Sequence, residues 1–159
     1  MRQAPQQTIA SDAIKAWTLT AIFLLIIPIV VTIVAFVLSY YRIIWDWIPY
    51  VLLGLTILEG IITIFFVPKL RWRRWRYEVF DQEIYIQRGV LVMKRTIVPM
   101  IRVQHVDTKQ GPILKRFGLA TVTVSTAATT HEIPALLEDE ADELRDKISV
   151  LARVDEDDV

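Results

Sequence analysis

Cysteine is absent from this chain of 159 residues. Without a thiol, the protein has no disulfide framework, no cysteine-ligated metal and no thiol nucleophile. The absence also favours a cytosolic location for the water-exposed part of the chain. Net charge is absent too, because 18 Lys and Arg residues balance 18 Asp and Glu residues. A neutral chain has no global field that attracts nucleic acid, so we expect no nucleic-acid partner.

Patterns typical of catalysis and of metal binding are missing as well. The chain has two histidines, His105 and His131, and neither stands at metal-ligand spacing from another histidine or a carboxylate. Gly111 and Gly118 flank a turn and form no phosphate-binding loop. We therefore predict no catalytic residue, no metal site and no cofactor, and we interpret both histidines as ordinary residues of a folded domain.

Long apolar runs dominate the first half of the chain. Residues 16–41 contain no charged side chain, and this run exceeds the roughly 20 residues that cross a hydrocarbon core. A second run at residues 47–67 has the right length and contains one acid, Glu59. Pro49 suits the start of this helix, and Pro68 is expected to mark its end. The five residues between the runs force an antiparallel hairpin.

The predicted organisation follows from these runs. A short N-terminal segment (1–15) precedes a two-span transmembrane hairpin (16–68), with spans at about 17–40 and 47–67. A basic and aromatic segment (69–76) then leads to a folded domain (77–152) and an acidic tail (153–159).

The segment after the second span reads KLRWRRWR and explains the orientation that we expect. Short flanks rich in Lys and Arg remain in the cytoplasm, so both termini are predicted to be cytoplasmic. Basic residues near a bilayer also favour anionic lipid by about 1 kcal/mol each, and tryptophan is typical of the headgroup level. The residues predicted to contact the membrane interface are Lys69, Arg71, Trp72, Arg73, Arg74, Trp75 and Arg76.

A polar stripe runs through the two spans. A carboxylate in a span costs about 2.5–3.5 kcal/mol, whereas small and weakly polar residues allow helices to approach closely. One hypothesis is that a neutral Glu59 packs inside the hairpin and donates to the Leu24 carbonyl or to Thr32. Its rivals are that Glu59 faces a partner's membrane helix or belongs to a proton pathway. The residues predicted to serve packing or partner contact are Pro28, Thr32, Thr56, Glu59, Gly60 and Thr63.

The second half has the composition of a small β domain. Six strands are predicted at residues 76–80, 83–88, 90–98, 102–108, 119–127 and 131–133, with one helical turn near residues 112–117. Thr121, Thr123 and Ser125 are expected to point out of the core. Apolar residues then recur at helical spacing, at Leu137, Ala141, Leu144, Ile148 and Leu151. These residues predict an amphipathic helix that starts at Pro134.

The predicted fold class is therefore an α+β membrane protein: a transmembrane hairpin followed by a curved antiparallel sheet or small β-barrel, capped by a C-terminal helix. A set of basic residues near the connection between the fourth and fifth strands is either a solvated rim or a surface that docks onto an acidic partner or the bilayer. Its members are Arg95, Arg102, Lys109, Lys115 and Arg116.

The second half resembles the bacterial pleckstrin-homology-like (PH-like) domain family, long known as domain of unknown function 304. The resemblance covers roughly residues 72–151. It is carried by RYEVFDQEIYIQRGVL (76–91), IVPMIRVQHVDTKQGPILKRFGLATVTVSTA (97–127) and EIPAL (132–136). The hairpin ahead of it resembles that of YdbS-type small membrane proteins. The resemblance implies a cytoplasmic PH-like barrel with a C-terminal helix, and work with a larger membrane protein that carries several such domains. In some such pairs it also implies protection against membrane-active bacteriocins.

One departure from pleckstrin-homology domains that hold phosphoinositides concerns the turn between the first two strands. Those domains carry basic residues there, whereas this chain has Asp81 and Glu83, which repel phosphate. We therefore expect no inositol-phosphate recognition. The function expected is that of a non-enzymatic interaction module in a membrane complex. An anionic-lipid-binding module, a transport or channel subunit that uses Glu59, and a homo-oligomer are the alternatives.

Overall fold

The computed structural model describes residues 5–157, and for residues 154–157 it describes the backbone alone. The chain divides into two compact units. The hairpin unit is Trp17–Lys69, and the β unit combines the described N-terminal residues through Ala16 with the chain from Leu70 onward.

The hairpin unit is built from long apolar helices. Helices α1 (Ala13–Leu24) and α2 (Ile26–Tyr40) make one stretch of 28 residues, interrupted at Leu25. The interruption lies where Pro28, which has no N–H, leaves the Leu24 carbonyl without its helical partner. Helix α3 (Ile48–Ile61) returns antiparallel to α2, since Phe36 contacts Tyr50 at a ring-centroid distance of 5.4 Å.

The second long helix does not end at Pro68, so that prediction was wrong. A π-helical segment (Ile62–Phe66) leads directly into helix α4 (Val67–Arg74), and the combined helix runs over Ile48–Arg74. A proline inside a helix lacks an N–H, and its ring collides with the carbonyl four residues earlier. The wide π turn immediately before Pro68 changes the hydrogen-bond pattern there, and the Val67 N–H bonds to the Ile62 carbonyl.

The β unit contains two antiparallel sheets. The first has the order β1-β2-β3-β4, formed by Gln7–Thr8, Arg76–Val79, Glu83–Arg88 and Lys94–Pro99. The second has the order β5-β6-β7, formed by Val103–Lys109, Leu119–Thr126 and Thr130–Leu137. A 3-10 turn (Met100–Arg102) joins the sheets, and the short helix α5 (Pro112–Arg116) precedes β6.

The predicted helix start at Pro134 was wrong. Pro134 lies in β7, and helix α6 (Glu138–Asp157) begins after that strand ends. The register between β6 and β7 shifts between Ala120 and Val122, and Ala135 in this bulge has a positive φ of 54°. A bulge tolerates proline because the ladder hydrogen bond is interrupted there. Helix α6 also extends into the predicted acidic tail, whose last two residues, 158–159, lie outside the described part of the chain.

The core of the β unit lies between the sheets and α6. Ile84, Val122, Ile133, Leu136 and Ile148 are fully enclosed. Strand β6 is buried on both faces, because Thr121, Thr123 and Ser125 are also buried. The prediction that these three side chains point out of the core was therefore wrong.

Candidate functional site

A threonine pair lies at the centre of the interface between α2 and α3. The Thr32 hydroxyl donates to the Pro28 carbonyl at 2.8 Å, and it lies 3.0 Å from the Thr56 hydroxyl. Thr32 is 5% exposed, so this contact is enclosed between the helices. The Thr32 hydroxyl thus binds Thr56 and a carbonyl of its own helix.

Small residues permit close packing beside this pair. Ala35 and Gly60 are buried. A Cβ added to Gly60 would lie 3.3 Å from a methyl group of Leu25, so the missing side chain lets the two helices approach closely. The hairpin is therefore held by a hydrogen bond and by small-residue packing.

Glu59 lies outside this interface. Its side chain is exposed, although the Thr63 hydroxyl donates to its backbone carbonyl at 2.8 Å. The neighbouring residues Leu55, Ile57 and Leu58 are also more than half exposed, as expected for helices that face lipid. An acidic side chain therefore lies on an outer surface that is otherwise strongly apolar.

The basic segment after the second span is largely helical. Lys69, Arg71 and Arg73 are exposed on α4, whereas Arg74 is partly buried and donates to the carbonyl of Val90. Arg76 opens strand β2 and is partly buried. The predicted interface set therefore divides into exposed cations on α4 and residues at the end of the segment that are partly or fully buried.

The two tryptophans of this segment pack into the β unit. Trp75 is 4% exposed, so the interpretation that its ring lies at the headgroup level was wrong. The Trp72 indole N–H donates to the Ile9 carbonyl at 3.1 Å. Ile9, next to strand β1, is itself buried. The described part of the N-terminal segment, residues 5–15, is thus part of the folded unit, which its polar sequence did not predict.

The five basic residues of the predicted docking surface do not form one patch. Arg95 lies on β4, where its Nε donates to Gln87 at 3.1 Å. Arg102 precedes β5, and Lys109 ends that strand. A strand of that length places them roughly 23 Å apart. Lys115 and Arg116 lie on α5, so they share the Lys109 end of this sheet, and all five side chains are exposed.

The sequence did not reveal an exposed apolar loop between β3 and β4, called here the β3–β4 loop (residues 89–93). Within it Leu91 is 90% exposed and Val92 is 82% exposed. A cavity of about 320 Å³ opens beside the loop and is called here the cationic cavity. The charged residues of its lining are Arg71, Arg88, Lys94 and Glu132. The signal in the sequence was VLVM directly after a glycine, which we assigned to a longer strand.

The histidines lie on strands, as predicted. His105 is on β5, 3.6 Å from the Asp107 carboxylate, and both side chains are exposed. His131 is on β7, where burial and then the positive charges of Arg88 and Lys94 lower its pKa below the ordinary 6.5. Among the described residues no group of three or more His, Asp or Glu side chains has the geometry to hold a metal ion.

Comparison with known proteins places this architecture in a family. The family model described as "Bacterial PH domain" matches residues 8–152, which is most of the chain and includes both long helices. The chain belongs to the bacterial PH domain family. This chain combines a PH-like domain with a membrane hairpin, so the fold class predicted from the sequence is confirmed.

Two relatives from Bacillus subtilis (strain 168) sharpen this placement. The chain is 52% identical to the "UPF0699 transmembrane protein YdbS" over 159 residues, the full length of both proteins. It is 31% identical to the "UPF0699 transmembrane protein YdbT" over 68 residues, which are 43% of this chain and 14% of that longer protein. No solved structure matches the chain. The bacterial PH domain protein described here is therefore a membrane protein similar to YdbS, as the sequence predicted.

Proposed function

We propose that this bacterial PH domain protein is a non-enzymatic interaction module and a subunit of a complex with a larger membrane protein that carries PH-like domains. The observation that carries the proposal is the exposed carboxyl group of Glu59 on the apolar outer surface of the hairpin. In lipid such a group costs about 2.5–3.5 kcal/mol. A partner helix that covers Glu59 and supplies a hydrogen-bonding group lowers that cost.

The nature of the partner is suggested by the second relative. YdbT is a much longer transmembrane protein, and 68 of its residues are similar to part of this chain. We propose a partner of this kind, in which PH-like domains accompany additional membrane helices. The complex would place Glu59 against one of those helices.

The orientation that we propose puts the β unit and both termini in the cytoplasm. Lys69, Arg71 and Arg73 are exposed directly after the second span. In the turn between the spans, the one basic residue, Arg42, is 3.4 Å from the Asp46 carboxylate. The positive charge is therefore concentrated on the side of the β unit, which favours retention of that side in the cytoplasm.

Site-specific photocrosslinking in the native membrane tests the partner contact. A photoreactive amino acid at position 59 is expected to crosslink to a larger membrane protein. The matched control is position 57, which is 55% exposed on the same helix and about 200° away around its axis. Equal crosslinking at both positions contradicts a specific contact at Glu59. A crosslinked dimer of this chain alone supports the homo-oligomer instead.

Two substitutions separate contact from proton transport. Glu59→Gln retains hydrogen-bonding groups, so we expect the partner to copurify as before. Glu59→Leu removes the polar group, and we expect partner recovery to fall. If proton or ion flux through reconstituted protein disappears in Glu59→Gln, the transport alternative replaces this proposal.

The physiological role that we propose is protection of the envelope against membrane-active peptides, including bacteriocins. This role rests on the resemblance to paired PH-like membrane proteins. Deletion of the gene is expected to lower the peptide concentration that inhibits growth, and Glu59→Leu is expected not to restore it. Restoration by Glu59→Leu to the wild-type level would separate the role from the proposed contact.

A second candidate function is anionic-lipid binding by the exposed cations of α4. Its specific support is the exposure of Lys69, Arg71 and Arg73. Mass spectrometry of lipids that copurify with the full chain is expected to show anionic lipid. Replacement of all three residues by Gln should reduce that lipid, whereas the same change at Lys109, Lys115 and Arg116 serves as the control. Equal reduction in both variants would contradict a specific role for α4.

A further inference from the structure

The β3–β4 loop is the most apolar exposed feature of the β unit. Leu91 is 90% exposed, which exceeds the exposure of every other large hydrophobic side chain in the described residues. Val92 is 82% exposed, and Met93 is 39% exposed. A soluble domain gains nothing from three adjacent apolar side chains in water, so such a patch marks a contact surface.

The loop has a defined conformation. Gly89 has a φ of +143°, and a Cβ added there would lie 1.9 Å from the Val92 carbonyl oxygen. Only glycine fits this close approach of the backbone. Arg74 also donates to the Val90 carbonyl and fixes the loop against the end of α4. Leu91 and Val92 are therefore presented at the tip of a loop that is held at its base.

Arg74, which binds the β3–β4 loop, is close in sequence to the second span. Arg74 is the last residue of α4, and Val67, the first residue of α4, ends the apolar run of the second span. At 1.5 Å per helical residue, Arg74 is about 10 Å from the end of that run. The headgroup layer on each side of the hydrocarbon core is roughly 5–8 Å thick. Arg74 and the loop carbonyl that it binds are therefore tethered to the end of the second span by a single short helix.

The charge beside the loop suits an anionic surface. The cationic cavity has Arg71, Arg88 and Lys94 in its lining, opposed by one carboxylate, that of Glu132. The lowered pKa of His131 reports the same positive field, because Arg88 and Lys94 contribute to it after burial. Apolar side chains at the tip and cations at the base form the arrangement that peripheral segments use to enter an anionic membrane interface.

We propose that the β3–β4 loop inserts Leu91 and Val92 into the bilayer interface while the cationic cavity receives the headgroup of an anionic phospholipid. The contact gives the β unit a second attachment to the membrane, besides the chain itself. It holds the PH-like sheet at one fixed height and rotation on the bilayer, which a helix end alone does not do. The proposal does not depend on the larger partner protein.

The absence of native cysteine makes a direct test simple. Leu91→Cys in the full-length protein carries an environment-sensitive dye, and the protein is reconstituted in nanodiscs that contain phosphatidylglycerol and lipids with doxyl quenchers. The control is Gln82→Cys, exposed at the opposite end of β3, which is a six-residue strand and thus roughly 20 Å away. We expect several-fold stronger quenching at position 91 than at position 82. Equal quenching at the two positions overturns the insertion.

Two further arms test the headgroup and the alternative occupant. Quenching at position 91 is expected to fall in nanodiscs of phosphatidylcholine alone, and also when Arg88 and Lys94 are both replaced by Gln. No dependence on lipid charge or on these residues overturns the headgroup contact. Protection of the dye from aqueous iodide that appears only when other membrane proteins are added overturns the lipid assignment in favour of a protein partner.

Discussion

The β unit buries its large apolar side chains, whereas the hairpin unit exposes them. In the β unit, Ile84, Val122 and Ile133 are completely enclosed. In the hairpin unit, Ile27, Phe65 and Phe66 are more than half exposed, while the enclosed contacts involve Thr32, Ala35 and Gly60. Apolar surface drives burial in water but not in lipid, so the β unit suits water and the hairpin unit suits the bilayer.

Each unit also has a prominent exception to this pattern among its described residues. Glu59 is an exposed acid on the surface of the hairpin, and Leu91 with Val92 forms an exposed apolar tip on the β unit. An acid facing lipid and apolar side chains facing water are both unfavourable, so each is expected at a contact surface. The two proposals of partner contact and loop insertion rest on these two exceptions.

The largest effect is expected from a cavity in the core of the β unit. Leu136 is fully buried, so Leu136→Ala should lower the free energy of unfolding of the β unit by about 2–5 kcal/mol. Urea unfolding of the full chain in detergent micelles, followed by tryptophan fluorescence, measures this change. The neighbour Leu137 is 44% exposed and serves as the control, for which we expect a much smaller loss. Equal losses would contradict the assignment of these two residues to inside and outside.

A second effect concerns the loop that carries the exposed apolar tip. Gly89→Ala forces a Cβ against the Val92 carbonyl and should lower the free energy of unfolding by about 1–3 kcal/mol. Gly111 has a φ of −81° and open space around its Cα, so Gly111→Ala causes no clash and should cost less than Gly89→Ala. The same urea titration compares the two variants. A harmless Gly89→Ala would show that the loop is not held in this conformation.

A smaller effect is expected inside the hairpin. Thr32 and Thr56 share a hydrogen bond of 3.0 Å, and such bonds between membrane helices contribute about 0.6 kcal/mol on average. A double-mutant cycle with Thr32→Val and Thr56→Val should give a coupling of this size. Thermal unfolding of the hairpin in micelles, followed by circular dichroism, provides the measurement. A coupling of zero would mean that packing alone holds the helices.

The smallest effect is a dependence of stability on pH. The pKa of His131 is lowered in the folded protein, mainly by burial and then by Arg88 and Lys94. The unfolded chain therefore binds a proton first as the pH falls, and the β unit loses stability below about 6.5, down to the folded pKa. Above that pH the contribution is fully present. Urea titrations at about pH 7.5 and about pH 5.5 give the free energy of unfolding on either side of 6.5. The difference between the two values should be smaller in His131→Gln than in the wild-type protein.

Local patterns predicted much of this fold. Strands β2, β3, β5 and β6 follow alternation that is visible in the sequence, and the two apolar runs exceed the length of a span. The apolar helical face predicted for α6 is borne out at Ala141 and Ile148, which are fully buried. These features depend on residues close in sequence, so a single sequence reveals them.

The features that were missed depend on distant contacts. Strand β1 has two polar residues, and it exists because it pairs with β2. The helix continues through Pro68 because a π turn precedes it, and β7 continues through Pro134 because of a bulge. Trp75 has the sequence context of an interfacial residue, but it is buried in the β unit. In each case tertiary structure overrides the local signal.

The candidate site was predictable only in part. The sequence identified Glu59 as unusual in a span, but the helix register that exposes it depends on which side of α3 packs against Thr32. The β3–β4 loop was hidden, because VLVM has the composition of a strand and only the Gly89 backbone turns it into a loop. The exposure of Glu59 and of the β3–β4 loop depends on the tertiary structure, so the sequence alone does not reveal it.

Recovery of the tagged full-length protein from its native membrane in mild detergent, with mass spectrometry of every protein that remains attached, tests the partner contact at Glu59. We expect a larger membrane protein with PH-like domains in fixed stoichiometry, and loss of that protein in Glu59→Leu. Recovery of this chain alone, or of the same partner at the same level in Glu59→Leu, would contradict it.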